Sequence, residues 1–306
     1  MPANLRTERT VVAAKMDHGG DAAVKSSTAY TDLDLHLFGL GLGVRTLPSD
    51  PIAGLKSLVL PVEYIRCAET RYILQHLDVQ PGHRVLDVGS PKLLSLFLAA
   101  RLEAEVHATD LLDYFFATYK RYSRVALGAD QGRYHVASED ARNLRYPSAH
   151  FDRVFSLSAI EHIPDDGDSR AMQEISRVLA PGGIACITVP WRDTGYVEEF
   201  KHRGDPDAYW APGDADRVFF QRAYDRASLE RRLVSPSGLT PVDLSFWGER
   251  TVPVEHMILN RRVPRIARIL LYPAHIVLAR LFLRPLAEQE PSRKKVACLT
   301  LRKAKA

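Results

Sequence analysis

The sequence predicts a layered α/β domain built around a mostly parallel sheet. Short apolar runs of strand length alternate with segments of helical periodicity along residues 84–189, and such alternation implies parallel strands joined by crossover helices. The run at residues 84–89 ends in an acid and a glycine and leads directly into an apolar helical segment. Its end is therefore expected at the carboxyl edge of the sheet, where doubly wound folds bind cofactors.

The bulk composition is that of an ordinary globular protein, with 306 residues, 46% of them apolar, 25% charged, and a formal net charge of +4. The positive excess lies late, in residues 261–284 and 293–305. No dense basic face with aromatic platforms is visible, so nucleic acid is not an expected partner. Cys67, Cys186 and Cys298 are far apart, which predicts neither a disulfide framework nor a metal site.

The region before the sheet is predicted to be an N-terminal arm or lid that covers residues 1–60. Residues 1–30 are polar and rich in small side chains, which suggests a mobile arm or a short helix exchanged with a partner subunit, whereas residues 33–47 mix Leu, Phe and Gly without a clear period. A helix is predicted over residues 61–77, because proline suits a first helical turn and apolar residues then recur at helical spacing. The first residues lack the plan of a signal peptide, and we expect a cytoplasmic protein.

The main domain is predicted to span residues 61–306, with insertions at about 191–225 and 250–290. Strands are predicted at residues 84–89, 105–110, 134–138, 153–158 and 184–189, and helices between them at 92–101, 111–127 and 170–179. A helix at residues 227–233, a sixth strand within 240–247 and a final strand at 296–301 complete the order.

The turn after the first strand argues against a dinucleotide cofactor. The three glycine positions of a dinucleotide fingerprint read Gly89, Pro91 and Leu94, so two glycines are missing and the proline removes an N–H group. A cofactor with adenosine but no pyrophosphate fits better. Asp110 ends the second strand and can accept both ribose hydroxyls, and Asp140 can accept a hydrogen bond from the adenine amine.

Four stretches resemble the core of a class I S-adenosylmethionine-dependent methyltransferase of the small-molecule type. They are VLDVGS at 85–90, the strand-end Asp110, EDARNLRYPSAHFDRVFSLSAIEHI at 139–163, and LAPGGIACITVP at 179–190. The resemblance implies a seven-stranded, mostly parallel sheet with helices on both faces and an antiparallel last strand. It also implies S-adenosyl-L-methionine as cofactor. The cofactor-binding candidates are Asp87, Gly89, Ser90, Asp110, Leu111, Asp140, Ala141, Ser156 and Ser158.

The first loop departs from the family's pattern, because Pro91, Lys92 and Leu93 stand where further glycines are usual. Three consequences are open: a narrower loop, a Lys92 side chain directed toward the cofactor carboxylate, or lost binding.

His162 is the candidate catalytic residue, because it follows the fourth strand and can take a proton near neutral pH. An equally weighted alternative is that His162 caps a helix or shapes the pocket, since methyl transfer depends more on alignment than on a base. The neighbouring Glu161 is assigned a structural role. The insertion after the fifth strand predicts an apolar or planar acceptor, because it carries aromatic side chains at Trp191, Tyr196, Tyr209 and Trp210.

The predicted function is transfer of a sulfonium methyl group to oxygen, nitrogen or carbon of a small lipophilic or aromatic metabolite, by a homo-oligomeric enzyme of secondary metabolism. The alternatives are a non-catalytic or membrane-associated protein with this fold, and an oxidoreductase with a Rossmann-type fold. Residues 263–286 place arginines, including Arg265 and Arg268, around an apolar run that is too short to span a bilayer. This stretch indicates a cap or a dimer face, with peripheral membrane contact as the alternative.

Overall fold

The computed structural model describes residues 26–113, 115–202, 205, 216–250, 252–259, 270–290 and 293–305. Several predicted features lie outside these ranges. They are the arm over residues 1–25, the aromatic residues Tyr209 and Trp210, and the arginines Arg265 and Arg268.

The central sheet and a separate hairpin contain the strands. In chain order these are β1 (Arg84–Val88), β2 (Glu105–Asp110), β3 (Tyr134–Ser138), β4 (Phe151–Leu157), β5 (Leu179–Pro190), β6 (Val197–His202), β7 (Arg217–Ala223), β8 (Thr240–Glu249), β9 (Leu283–Leu286) and β10 (Arg293–Arg302). The helices are α1 (Asp32–Thr46), α2 (Pro51–Val59), α3 (Tyr64–His76), α4 (Leu93–Leu102), α5 (Phe116–Leu127), α6 (Gly167–Val178), α7 (Arg226–Leu229), α8 (Ser235–Ser237), α9 (Val254–Leu259) and α10 (His275–Phe282). A π-helical turn at Glu230–Val234 joins α7 to α8.

The order of strands across the main sheet is β3-β2-β1-β4-β5-β10-β8-β9. Strands β1 to β5 are mutually parallel, whereas β10 is antiparallel to both β5 and β8. The predicted fold class, a mostly parallel sheet whose last strand is antiparallel, is confirmed. Among the described residues the sheet has eight strands, one more than expected, because the short β9 pairs with the end of β8.

Helices cover both faces of this sheet. One buried cluster combines α3 and α4 with β1 and β2 and includes Leu74 and Phe97. The other packs Met172 and Ile175 of α6 against β4 and β5. Because all the strands from β1 to β5 point the same way, their carboxyl ends lie along one edge. Asp87 near the end of β1, Asp110 at the end of β2 and Asp140 just after β3 are therefore brought to that edge.

The region before the sheet is more regular than the sequence predicts, since α1 occupies the residues expected to be an aperiodic lid. Thr31 and Asp34 cap α1 reciprocally as a capping box. Glycines stand at positions of α1 that contact α2, where large apolar side chains would otherwise mark the helical period. A Cβ on Gly43 would lie 2.9 Å from the carbonyl oxygen of Gly54 in α2. The helix α1 thus lies close against α2 at its glycines, while its side chains Leu35, Phe38 and Leu42 are buried in the core.

Asp32 ties the N-terminal helix to the rest of the domain. It is fully buried at the start of α1 and accepts hydrogen bonds from Arg71 of α3 (2.9 and 3.1 Å) and Arg280 of α10 (3.0 Å). Burial alone would raise the pKa of Asp32, but the two arginines outweigh it and the pKa is lowered. Within the described ranges, every helix is too short or too polar to cross a lipid bilayer.

Candidate active site

The carboxyl ends of β1 to β4 surround a cavity of about 250 Å³. Most of the predicted cofactor and catalytic residues line it, namely Gly89, Asp110, Leu111, Asp140, Ala141, Ser158 and His162. Apolar side chains that the sequence analysis did not single out also line it: Val88, Leu112, Ile160 and Ile163.

The turn after β1 requires glycine. Gly89 has a φ of +71°, and a Cβ there would lie 2.8 Å from the Cβ of Ala159 in the loop after β4. Both the left-handed backbone and the close approach of the second loop exclude a side chain. The amide of Gly89 also donates to the carbonyl of Thr109 (2.9 Å), which fixes the turn against the end of β2.

Three of the predicted cofactor residues lie beneath this turn and do not line the cavity. Asp87 is fully buried and accepts a hydrogen bond from the amide of Ser90 (3.0 Å). The hydroxyl of Ser90 accepts from the amide of Leu157 (2.9 Å), and the hydroxyl of Ser156 donates to the carbonyl of Val88 (2.8 Å). Asp87, Ser90 and Ser156 therefore form a scaffold that holds β1, its turn and β4 together.

Lys92 points inward rather than toward the cavity. Its side chain is 3% exposed, and its Nζ donates to the carbonyl of Thr109 (2.7 Å). The same Nζ lies 3.5 Å from Oδ2 of Asp87 and 4.0 Å from Oδ2 of Asp110. The sequence analysis left open whether Lys92 is directed toward the cofactor carboxylate. In the structure the side chain of Lys92 is directed away from the cavity. The lysine is the counter-charge of Asp87, which is buried beneath the turn, and of Asp110, which lines the cavity.

Asp110 reaches the cavity while remaining partly buried. Its Oδ1 accepts the amide of Leu112 (3.1 Å), and its side chain is 18% exposed. Burial raises the pKa of Asp110, and Lys92 opposes that shift. The carboxylate is thus supported from below and retains an exposed side toward the cavity.

Asp140 is held by a residue that the sequence analysis missed. Arg142 donates to both of its carboxylate oxygens, from Nε (2.9 Å) and from Nη2 (2.8 Å). These hydrogen bonds lower the pKa of Asp140, so it is ionised and oriented. Arg142 is close in sequence, two residues after Asp140, but its identity alone does not show this pairing. The turn after β3 brings its guanidinium group back to the carboxylate.

His162 lies on the 3₁₀ turn Ile160–His162 after β4. Its Nδ1 is 2.7 Å from the carbonyl oxygen of Phe220 in β7. Because a carbonyl only accepts, Nδ1 carries the proton in that bond and the lone pair of the neutral ring is on Nε2. Burial lowers the pKa of His162, so the ring is neutral at neutral pH.

Glu69 of α3 is a buried acid that sequence reasoning missed. Its Oε1 accepts hydrogen bonds from the hydroxyls of Ser158 (2.5 Å) and Thr188 (2.6 Å), and its Oε2 pairs with Arg66 (2.5 Å). Ser158 has a φ of +40°, an uncommon conformation for a side-chain-bearing residue, and Glu69 is one of the contacts that fix it. Nothing in the local sequence of α3 reveals that it packs against the ends of β4 and β5.

Glu161, beside His162, is 1% exposed. Its Oε2 has no hydrogen-bond partner among the described residues. Burial raises the pKa of Glu161 to about 8, although Arg66 and Arg222 lie near enough to oppose the shift. The carboxyl group of Glu161 is therefore mostly protonated at neutral pH. This state is compatible with the structural role that the sequence analysis assigns to Glu161.

The β6–β7 hairpin covers the loop after β4 and is anchored by a buried arginine. Arg222 is fully buried and donates to the carbonyl oxygens of Ile163 and Asp165 (2.6 Å for Asp165) and to the hydroxyl of Tyr196 (2.9 Å). Together with the contact between His162 and Phe220, these bonds attach the insertion to the rim of the cavity.

The comparison with known families agrees with this geometry. A family model described as a methyltransferase domain matches residues 86–187, the part of the chain that supplies β1 to β5 and the loops around the cavity. Residues 86–187 thus carry the methyltransferase domain that the sequence resembles. Over these residues the predicted family, and with it the enzyme class and the cofactor S-adenosyl-L-methionine, is confirmed.

The relatives of this methyltransferase domain align with it over part of their length. Methyltransferase GfsG of Streptomyces halstedii is 31% identical over 119 residues, which are 39% of this chain and 41% of that protein. The sterol 24-C-methyltransferase of Eremothecium gossypii is 31% identical over 122 residues, 38% of this chain and 30% of that protein. The [4+2]-cyclase SpnF has a solved structure that superimposes with a TM-score of 0.51 at 20% identity, over 80% of this chain and 85% of that one. At that identity the likeness shows a shared fold.

The pairing of Lys92 with Asp87 predicts a strong effect on stability. We expect Lys92→Met to lower the free energy of unfolding by about 3 kcal/mol, because it leaves Asp87 buried without a counter-charge. The double variant Asp87→Asn/Lys92→Met removes both charges and should recover at least about 1 kcal/mol of that loss. Urea denaturation measures both, with Lys56→Met, at an exposed position of α2, as the control. A double variant less stable than the single one would contradict the pairing.

The raised pKa of Glu161 predicts a pH-dependent stability. Its folded pKa is about 8 against an ordinary value of 4.5, so between these values the unfolded chain loses the proton first and stability falls as pH rises. Glu161→Gln lacks this penalty. We expect its melting temperature, relative to the parent protein, to be at least about 3 °C higher at pH 8 than at pH 5. Glu63→Gln, at an exposed position, is the control. An equal difference at both pH values would show that Glu161 is ionised in the folded state.

Proposed function

We propose that this protein transfers the methyl group of S-adenosylmethionine to a small lipophilic acceptor. The observation that carries the proposal is the cavity at the carboxyl edge, where the tight Gly89 turn faces the strand-end acids Asp110 and Asp140. A nucleoside without phosphates fits this donor and acceptor set, since the cavity offers carboxylates for hydroxyl and amine groups beside apolar walls.

The residues present fit the proposed cofactor. Asp110, partly exposed toward the cavity, would accept hydrogen bonds from the two ribose hydroxyls. Asp140 and Ala141 would receive the adenine, with Leu111 against its face, while Gly89 and Ser158 would lie beside the methionyl part. Asp87, Ser90 and Ser156 would not contact the cofactor; they would hold the Gly89 turn in position beside it. Bound S-adenosylmethionine would supply an electrophilic methyl group on a sulfonium centre.

The contribution of the chain would be mainly alignment and exclusion of water. Ile160 and Ile163 give the cavity an apolar wall near His162, and the β6–β7 hairpin covers the rim. We propose that His162 takes the proton when the acceptor carries a hydroxyl or amine. The hydrogen bond to Phe220 places the lone pair on Nε2, and the lowered pKa keeps the ring neutral.

A lipophilic acceptor is supported by the apolar walls and by the name of one relative, the sterol 24-C-methyltransferase.

We further propose that residues 1–60 act as a lid and that residues 61–306 are the methyltransferase domain, with the insertions at about 191–225 and 250–290 building the acceptor pocket. The exposed apolar side chains Val277 and Leu281 of α10 support a cap or dimer face there. A homo-oligomer, contact with a membrane surface and a cytoplasmic location in secondary metabolism stay predictions.

Cofactor binding tests the proposal directly. We expect micromolar binding of S-adenosylhomocysteine in a calorimetric titration, weakened at least about tenfold in Asp110→Asn because the ribose loses a charge-assisted acceptor. Asp113→Asn changes an exposed acid at the same edge and should bind like the parent protein. Failure of the folded parent protein to bind would overturn the proposal.

His162→Asn separates a catalytic from a pocket-shaping role. With labelled S-adenosylmethionine and a panel of sterols and other lipophilic alcohols and amines, we expect kcat to fall about 100-fold, because the base is lost. Binding of S-adenosylhomocysteine should stay within about twofold, since His162 would lie on the acceptor side. An unchanged kcat, or an equal loss of binding and rate, would assign His162 to shaping the pocket.

A further inference from the structure

A second group of polar side chains lies at the opposite end of β2, away from the cavity. Glu105 and His107 are on β2, and His135 is on the edge strand β3. The parallel register pairs His107 directly with His135. Glu105, two residues before His107, lies on the same face of the sheet. One ligand atom from each of the three lies within 4.8 Å of the others.

The separations between these atoms match metal coordination. Nε2 of His107 is 3.4 Å from Oε1 of Glu105, and Nε2 of His135 is 3.5 Å from the same oxygen. Metal–ligand bonds of about 2.1 Å in a tetrahedral site place neighbouring ligand atoms about 3.4 Å apart. The three side chains could therefore receive an ion with little rearrangement.

The surroundings of His107 resemble the support that metal-bound histidines receive. Its Nδ1 is 3.3 Å from the hydroxyl of Tyr146, and a partner on the second ring nitrogen fixes the orientation of the ligating one. The rings of Phe151 and Tyr146 also pack edge-on against it. His107 is 15% exposed, whereas the side chains of Glu105 and His135 are 45% and 42% exposed. Solvent thus reaches the site from one side.

We propose that Glu105, His107 and His135 form a binding site for a transition-metal dication of the Zn²⁺ class, with a water molecule as fourth ligand. Two imidazoles and one carboxylate favour Zn²⁺, Co²⁺, Ni²⁺ or Cu²⁺ over Mg²⁺ and Ca²⁺. The ion would cross-link β2 to β3, which pairs only with β2 in the described part of the sheet. The expectation of no metal site rested on cysteine spacing, which does not test ligands brought together by strand register.

The test is a calorimetric titration of the full chain with zinc sulfate near neutral pH, after removal of any histidine tag and dialysis against a chelator. We expect one equivalent to bind, and His135→Ala and Glu105→Gln each to weaken binding at least about tenfold. Both positions are half-exposed, so the variants should fold. His150→Ala is the matched control, since His150 lies in the same aromatic cluster but outside the ligand set, and it should bind like the parent protein.

Two results would overturn the proposal: no binding of zinc by the parent protein, or binding that neither variant weakens. Cobalt provides an independent readout with the unaltered protein. One equivalent of Co²⁺ should give the intense visible absorption of a four-coordinate site, and this absorption should disappear when zinc is added. A weak, octahedral spectrum would contradict inner-sphere binding by these three residues.

Discussion

The arrangement of the candidate active site depends on one buried charge. Lys92 lies under the turn after β1 and holds the carbonyl of Thr109 and the acids Asp87 and Asp110 around its ammonium group. A charge that is almost completely buried is stable only when it is paired. The ends of β1 and β2 and the start of α4 are therefore fixed relative to one another by electrostatics. Where the family usually has further glycines in this loop, this chain has an ion pair beneath it.

The cavity has two electrostatically different sides. Asp110 ends β2 and Asp140 follows β3, and Arg142 keeps Asp140 ionised. After β4, burial lowers the pKa of His162, which lines the cavity, and raises the pKa of the neighbouring Glu161, which does not line it, to about 8. Carboxylates suited to hydroxyl and amine groups thus stand on one side, and a neutral His162 with two isoleucines stands on the other. The proposed division between a cofactor side and a lipophilic acceptor side follows from this difference.

Much of the fold was predictable because its signals are local. The bounds of β2 and β3 are those that the sequence predicts, since each is a short run bounded by turn residues. Asp110 and Asp140 reach the cavity because an acid that follows a parallel strand must lie at the sheet's carboxyl edge. The remaining features depend on contacts distant in sequence. Periodicity does not reveal the glycine contacts of α1 or the reach of Glu69 from α3 to β4 and β5. The same holds for the register that places His107 beside His135.

Lys92 shows the limit of the sequence most clearly. A lysine in a cofactor loop is expected to face an anionic ligand, and only the positions of Asp87 and Thr109 show that it turns inward.

The most direct test of the account is a crystal structure with S-adenosylhomocysteine. It should show the ribose hydroxyls on Asp110, the adenine beside Asp140, and Nζ of Lys92 still within hydrogen-bond distance of the Thr109 carbonyl. A ligand bound elsewhere, or a Lys92 that turns outward to its carboxylate, would contradict the account.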